Sequence, residues 1–334
     1  MAVLYVGIDF GGSGTRAALA TAEGEVLAAG QGGSAGLLGG GAAGRRQLTR
    51  SLDRALAAIG PLLARQRVVI HVGTTGLSVP GRRDSIALEL NTRFPSAEIR
   101  VTNDALIALW GGLGGREGVA VLAGTGSIAL ARSADGREAR AGGWGYLLGD
   151  EGSGFWLGRA ALLELLRERE GRAAPQALTR AVVDALGLAA ASATVSQVIA
   201  WTTAESGDTV GRIASLAPLV SRAAAAGDPA AIQILAQAAQ ALAVMAAAAA
   251  YQLWPTAAPR PLGVVCRGGV WAAGALLADP FVAALREQGL TAALQRALLP
   301  PVGGALLLAM GAPNQLPEPD VLERLVEGFA STSS

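Results

Sequence analysis

Residues 3–10, VLYVGIDF, form an apolar run that ends beside a carboxylate, and GGSGTR follows as a polar, glycine-rich turn. An apolar run of this length, bounded by turn residues, reads as a buried strand. TRAALATAEGEVLAAG gives two further strands joined at Glu23-Gly24. Residues 47–65 carry apolar positions at helical spacing. RVVIHVGTTG reads as a strand ending in a polar turn. EIRVTNDALIALWGG reads as a strand that stops at Asn103-Asp104 and opens a helix. After GGLGGREG, residues 111–118, the opening order returns. GVAVLAGTGSIALARSADGREARAGG is again strand, glycine turn, strand, turn, strand. Residues 3–30 and 118–143 are therefore an internal repeat of pattern, not of identity.

Most of residues 154–254 has a helical pattern, including a long segment that opens at the cap-like GDPAA. PLGVVCRGGVW is another strand running into a Gly-Gly turn and a helix, and GALLLAMGA is a late helix. The tail after Ser331 is expected to fray. This order predicts an α/β protein of two domains. Residues 1–115 form a small N-terminal α/β domain, and 116–331 a larger C-terminal one with a helical insert. The last helix, from about residue 304, is expected to pack back near the hinge.

Composition narrows the chemistry. The 334 residues are 51% hydrophobic, with a net charge of +1. That balance gives no electrostatic footprint for nucleic acid or membrane. All 27 basic residues are Arg. The lack of lysine excludes a P-loop lysine, a Schiff-base lysine and a protein-kinase lysine. The single cysteine, Cys266, excludes a disulfide framework and a cysteine-based zinc or iron–sulfur site within one chain. MAVLYVGIDF lacks a basic leader and runs straight into a strand, so no signal peptide is read and a cytoplasmic location is expected. AQAAQALAVMAAAAAYQLW is mostly alanine, which favours a buried helix over a membrane span.

Four segments carry candidate chemistry. In the first, Asp9 ends a strand, and Gly11, Gly12, Ser13, Gly14 and Thr15 follow as a turn whose small residues can close on an anion. A carboxylate beside phosphate commonly holds Mg²⁺; a hairpin turn with a capping Asp is the alternative. Gly124, Thr125, Gly126 and Ser127 repeat that design one repeat later, as if two jaws closed on one polyphosphate. Asp104 stands at the carboxyl end of a strand and the start of a helix, where open α/β sheets place catalytic groups. It could equally serve as a helix N-cap. Gly268 and Gly269 would let a flat ligand such as adenine lie against backbone, or simply make a strand-to-helix turn. His71, Trp110, Trp156, Trp271 and Cys266 fit structural roles.

These segments, in this order, resemble an ATP-dependent sugar kinase of the actin/hexokinase/Hsp70 superfamily. More narrowly, the chain resembles the BadF/BadG/BcrA/BcrD-type ATPase family, which includes eukaryotic-type N-acetylglucosamine kinases. Its most specific segment is GGWGYLLGDEGSG, Gly142 to Gly154. The resemblance implies two related ribonuclease H-like domains with a cleft between them, ATP and Mg²⁺ as cofactors, and a small sugar as partner. It leaves a homodimer open. Asp104 matches the base that takes a proton from the attacking sugar hydroxyl, and Asp9 the carboxylate associated with Mg²⁺. Gly12, Ser13 and Thr15 match the first phosphate turn, Gly124 to Ser127 the second, and Gly268 and Gly269 the adenosine turn. Asn103, Gly143, Trp144, Asp150 and Glu151 fall in or beside the sugar site.

Two positions depart from the acetylglucosamine kinases. Gly36 and Ile128 stand where those enzymes have asparagine. The departures leave glucosamine or another hexose open as substrate, and an ammonium group would suit Asp150 or Glu151. Two other functions fit the fold. An ATP-driven activator of a dehydratase would need cluster-binding cysteines, and one per chain is too few. A sugar-sensing binding protein would not require Asp104.

Overall fold

The computed structural model describes residues 2–11, 14–33, 42–63, 66–77, 79–188, 194–203, 208–311 and 315–331. The chain divides into two compact units: Met1–Ala120 with Arg132–Glu138 and Leu294–Ser334, and Val121–Ala131 with Ala139–Ala293. The tail beyond Ser331 lies outside the described residues.

The first unit is built on strands β1 (Val3–Phe10), β2 (Thr15–Ala20), β3 (Val26–Gly32), β4 (Arg67–Thr74) and β5 (Glu98–Asn103), in the order β3-β2-β1-β4-β5. β1 pairs antiparallel with β2 and parallel with β4, and β4 pairs parallel with β5. The antiparallel hairpins follow from the short turns, and the parallel pairs from the helical crossovers. Helices α1 (Ala42–Leu56), α2 (Arg82–Arg93) and α3 (Asp104–Leu113) belong to this unit. Val6, Ile8, Ile70 and Val72 from alternate strand positions pack with Leu52, Ile59, Ile86 and Leu90 into one buried cluster.

The apolar period read over residues 47–65 is split. α1 ends at Leu56, and a separate 3₁₀ turn covers Gly60–Leu63, because Gly60-Pro61 interrupts the helix. α2 has no counterpart among the elements expected from the apolar pattern.

The second unit repeats the plan. Strands β6 (Gly118–Ala123), β7 (Ser127–Arg132), β8 (Glu138–Gly142), β9 (Leu262–Arg267) and β10 (Ala292–Leu294) are ordered β10-β9-β6-β7-β8. Read from the other edge, that is the first sheet strand for strand. β6-β7-β8 occupy the places of β1-β2-β3, and the internal repeat of the sequence is thus a repeat of sheet topology. Between β8 and β9 lie α4 (Gly154–Arg169), α5 (Ala177–Ala185), α6 (Val195–Thr203), α7 (Thr209–Ala214), α8 (Ala217–Ala225) and α9 (Pro229–Leu253), and α10 (Ala275–Glu287) follows β9.

α9 is long and apolar enough to cross a membrane by length and composition. Here it packs on α4, α8 and α10 and buries Ile234, Leu235, Leu242 and a row of alanines. Asp228 caps it, accepting the Ala231 amide at 3.0 Å, and also accepts the Leu178 amide of α5 at 2.9 Å.

The C-terminal helices α11 (Pro301–Met310) and α12 (Pro319–Ser331) belong to the first unit, where α11 packs on β1, β4 and α3. Backbone explains the docking. The Leu298 and Leu299 amides donate to the carbonyls of Gly112 and Gly111 at 3.2 and 2.8 Å. At the other end the Arg100 guanidinium donates to the Leu308 and Gly311 carbonyls, both at 3.2 Å, a cation at a helix C-terminus.

Candidate active site

In the first unit the β-sheet register lines up the predicted residues. Asp9 pairs with Gly73 on β4, and Gly73 in turn with Thr102 on β5; one step on, Thr74 pairs with Asn103. The parallel strands β1, β4 and β5 therefore end together, and Asp104 opens α3 from the same edge. Asn103 is the N-cap of α3. Its side chain accepts the Ala105 amide at 2.7 Å, and Asp104 Oδ1 lies 3.0 Å from the same amide. The capping role that the sequence left open for Asp104 therefore belongs to its neighbour.

Asp104 is half-buried. Removal of its carboxylate from water pushes its pKa from 3.8 up to about 6, and the charge of Asp9 adds to the rise. The Ala105 amide and the Arg82 guanidinium act in the other direction. Two carboxylates that repel each other, one with a pKa close to neutral, form an arrangement typical of acid–base sites. Asp9 is buried and stands 3.8 Å from Arg16, whose side chain is largely in solvent.

Arg82, at the start of α2, was not singled out in the sequence. Its Nε donates to the Thr75 carbonyl at 2.9 Å, just past the end of β4. Its Nη2 is buried with no hydrogen-bond partner among the described residues. Burial lowers its pKa and the charge of Asp104 raises it. No local signal in GRRDSIALEL connects Arg82 with Asp104; the fold makes that connection.

Of the first glycine turn, Gly12 and Ser13 lie outside the described residues, as does Gly36. The Gly11 amide donates to the Gly14 carbonyl at 3.0 Å, closing a tight turn. Thr15 is buried, and its hydroxyl donates to the Gly33 carbonyl at 3.0 Å, tying the start of β2 to the end of β3.

In the second unit three predicted segments come together. The Gly124 amide donates to the Gly126 carbonyl at 2.9 Å, making the β6–β7 turn. A side chain at Gly268 would meet the Ala123 carbonyl at 2.3 Å and the Gly124 amide at 2.8 Å, so the β9 turn lies directly against the β6 turn. The 142–154 loop joins from the other side. Gly142, Gly143, Gly145 and Gly152 have left-handed backbone there, as does Asp150, with φ 60°. Trp144 and Glu151 are exposed, whereas Asp150 is buried. Burial raises the pKa of Asp150, while amide hydrogen bonds from Ser127 and Gly145 act to lower it. Ile128, which follows the turn, packs beneath Gly143 and brings an apolar surface to that place.

Among the described residues no group of three or more His, Cys, Asp or Glu is placed to hold a metal ion. Mg²⁺ does not need one. It is held by one or two carboxylates, with substrate phosphates and water completing the octahedron. Asp9 is an oxygen donor of that kind.

A sequence model of the BadF/BadG/BcrA/BcrD ATPase family matches residues 6–309. Among curated proteins, an N-acetylmuramic acid/N-acetylglucosamine kinase of Clostridium acetobutylicum is 33% identical over 241 residues, 71% of this chain and 76% of that protein. The glucosamine kinase GspK of Vibrio cholerae is 27% identical over 233 residues, 70% of this chain and 76% of that one. Among solved structures, a proposed N-acetylglucosamine kinase from Chromobacterium violaceum superposes with a TM-score of 0.69 at 33% identity, over 92% of this chain and 98% of that one.

Proposed function

The chain belongs to the BadF/BadG/BcrA/BcrD ATPase family, and from that premise we propose that it is an ATP-dependent kinase of an amino sugar or related hexose. The observation that carries the reading is the Asp9–Asp104 pair at the carboxyl edge of the first sheet. The resemblance assigns one of these carboxylates to the base and the other to Mg²⁺, the two roles a phosphoryl-transfer site calls for. The kinases similar to this chain act, by their names, on N-acetylmuramic acid, N-acetylglucosamine and glucosamine. An N-acetylglucosamine- or glucosamine-like acceptor is the substrate class that follows.

In this reading Asp104 is the general base. As the acceptor hydroxyl attacks the γ-phosphorus of ATP, a new O–P bond forms and the bond to the ADP oxygen breaks, while the hydroxyl proton passes to Asp104. With a pKa of about 6 the carboxylate is mostly ionised at neutral pH and still basic enough to accept that proton. Asp9 would hold Mg²⁺, which supplies electrostatic neutralisation of the phosphates when bound. Gly11, Gly12, Ser13, Gly14 and Thr15 form the first phosphate turn, Gly124, Thr125, Gly126 and Ser127 the second, and Gly268 and Gly269 the adenosine turn. Asn103, Gly143, Trp144, Asp150 and Glu151 serve the sugar. Most of the catalysis in such a site comes from positioning, with the base orienting the nucleophile.

The test is Mg·ATP consumption against a panel of hexoses, amino sugars and N-acetylated sugars. ADP and sugar phosphate should form together with at least one amino sugar. Sugar-independent hydrolysis, or no turnover with any member, would remove the reading.

A further inference from the structure

The β6–β7 turn is bonded to both ends of the 142–155 loop. The Gly154 amide donates to the Gly124 carbonyl at 2.7 Å, and the Phe155 amide to the Thr125 carbonyl at 3.2 Å. The Gly143 amide donates to the Ser127 carbonyl at 3.0 Å, and the Ser127 hydroxyl donates to the Glu151 carbonyl at 2.8 Å. Asp150 closes this ladder with a side chain. Its Oδ1 accepts the Ser127 amide at 3.3 Å, and its Oδ2 lies where a side chain on Gly126 would come within 2.7 Å. The residue is buried, with its carboxylate against the turn. Asp150 also holds φ 60°, the one left-handed non-glycine residue among those described. An aspartate tolerates that backbone best when its own side chain is tied down locally. Beyond the loop, Ser153 accepts the Trp156 amide at 3.1 Å as the N-cap of α4, which anchors the far end.

We propose that Asp150 is a positioning residue for the second phosphate turn. Its carboxylate locks residues 124–127 to the 142–155 loop, so that the element serving the nucleotide and the element serving the sugar form one body. The proposal rests on the kinase reading for what the two loops bind, and extends it by giving Asp150 a role toward the nucleotide that a sugar ligand would not have. Two loops that share a ladder of hydrogen bonds cannot be displaced separately, so occupancy of one biases the other, and the effect is reciprocal.

The test uses Asp150→Gly and Asp150→Asn in the full chain. Glycine adopts the left-handed backbone without strain and removes the carboxylate; asparagine also tolerates it and keeps an acceptor oxygen. The readouts are calorimetric binding of Mg·AMPPNP without sugar, and hydrogen exchange of residues 124–128. Asp150→Gly should weaken Mg·AMPPNP binding by about tenfold or more and speed exchange at the Ser127 amide, while Asp150→Asn stays within about threefold of the parent. Gly126→Ala, which presses on the carboxylate from the other side, should reproduce the Asp150→Gly pattern and serves in its place if that variant fails to fold. Unchanged exchange and nucleotide binding in Asp150→Gly, with only sugar affinity lost, would overturn the proposal and leave Asp150 a sugar ligand alone. If the parent binds no nucleotide, the kinase reading fails separately. The exchange result still decides the clamp: faster exchange in Asp150→Gly sustains it, and unchanged exchange overturns it.

Discussion

Asn103 and Asp104 divide between them two tasks that either residue type could perform: Asn103 Oδ1 accepts the Ala105 amide at 2.7 Å as the cap of α3, and Asp104 sits inside the first turn. Asp104 is thereby held on a rigid helix end, with its neighbour making the shorter of the two contacts to the Ala105 amide. Asn103→Ala should cost about 1 kcal/mol of stability, and Asn103→Ser should restore most of it. Chemical denaturation of the three proteins checks this.

Asp104→Asn should separate activity from stability. Loss of a general base costs about 10²–10⁴ in rate. The raised pKa of Asp104 means that the folded state resists its ionisation, so the wild type is penalised once pH exceeds the unfolded value near 3.8, and the penalty is fully developed above about 6. Removing the charge should therefore stabilise the protein by about 3 kcal/mol at pH 8, with no gain near pH 3. Melting temperatures across that range, beside kcat at pH 8, give both answers. A variant that melts like the parent at both pH values would contradict the burial of this charge.

Arg82→Met should move the acidic limb of the kcat/KM profile to higher pH. Arg82 favours the ionised form of Asp104, and its removal leaves burial and Asp9 unopposed. A pH–rate profile of the variant that superimposes on that of the parent would show that the guanidinium does not act on Asp104.

His71 gives a second pH signature, distinct from the active centre. It is buried on β4, its Nε2 lies 2.8 Å from the Thr102 hydroxyl, and desolvation, assisted by Arg100, lowers its pKa from 6.5 to about 4. The folded state therefore refuses a proton that the unfolded chain accepts below 6.5. Stability should fall by about 3 kcal/mol as pH drops from 6.5 to 4. His71→Leu should flatten that part of the stability–pH curve, at some cost from the lost Thr102 contact. Urea unfolding at pH 7 and pH 4.5 measures the difference.

What the sequence disclosed, and what it withheld, follows from how local each signal is. The strand from Val3 to Phe10 and the restart at Gly118 were legible because apolar runs stopped at glycine turns, and the matching sheet orders confirm the repeat they announced. α2 was not legible. RRDSIALELNTR buries only Ile86 and Leu90 and leaves Leu88 exposed, so its apolar stripe is too thin to read. Helix α12 and the short β10 escaped in the same way. No local pattern could say that residues after Leu294 return to the first unit, because α11 is held there by carbonyls of Gly111 and Gly112. The candidate carboxylates were found by motif, but their states were not: Asp104 owes its raised pKa to burial and to Asp9, which is 95 residues earlier in the chain. Asp150 was read as lying in or beside a sugar site; that its carboxylate also accepts the Ser127 amide was not legible, because the contact depends on the left-handed backbone at Asp150 itself.

In the proposed reaction this chain moves the γ-phosphoryl group of ATP to an amino sugar or related hexose with Asp104 as base. The most direct measurement is mass-resolved product formation from Mg·ATP and a panel of glucosamine, N-acetylglucosamine, N-acetylmuramic acid and glucose, run in parallel with the parent and Asp104→Asn. The parent should form a sugar monophosphate and ADP in equal amounts with at least one amino sugar, and the folded variant should form them at least a hundredfold more slowly. A folded Asp104→Asn protein that makes the same product at the parent's rate, or a parent that makes none from any of the four, would contradict it.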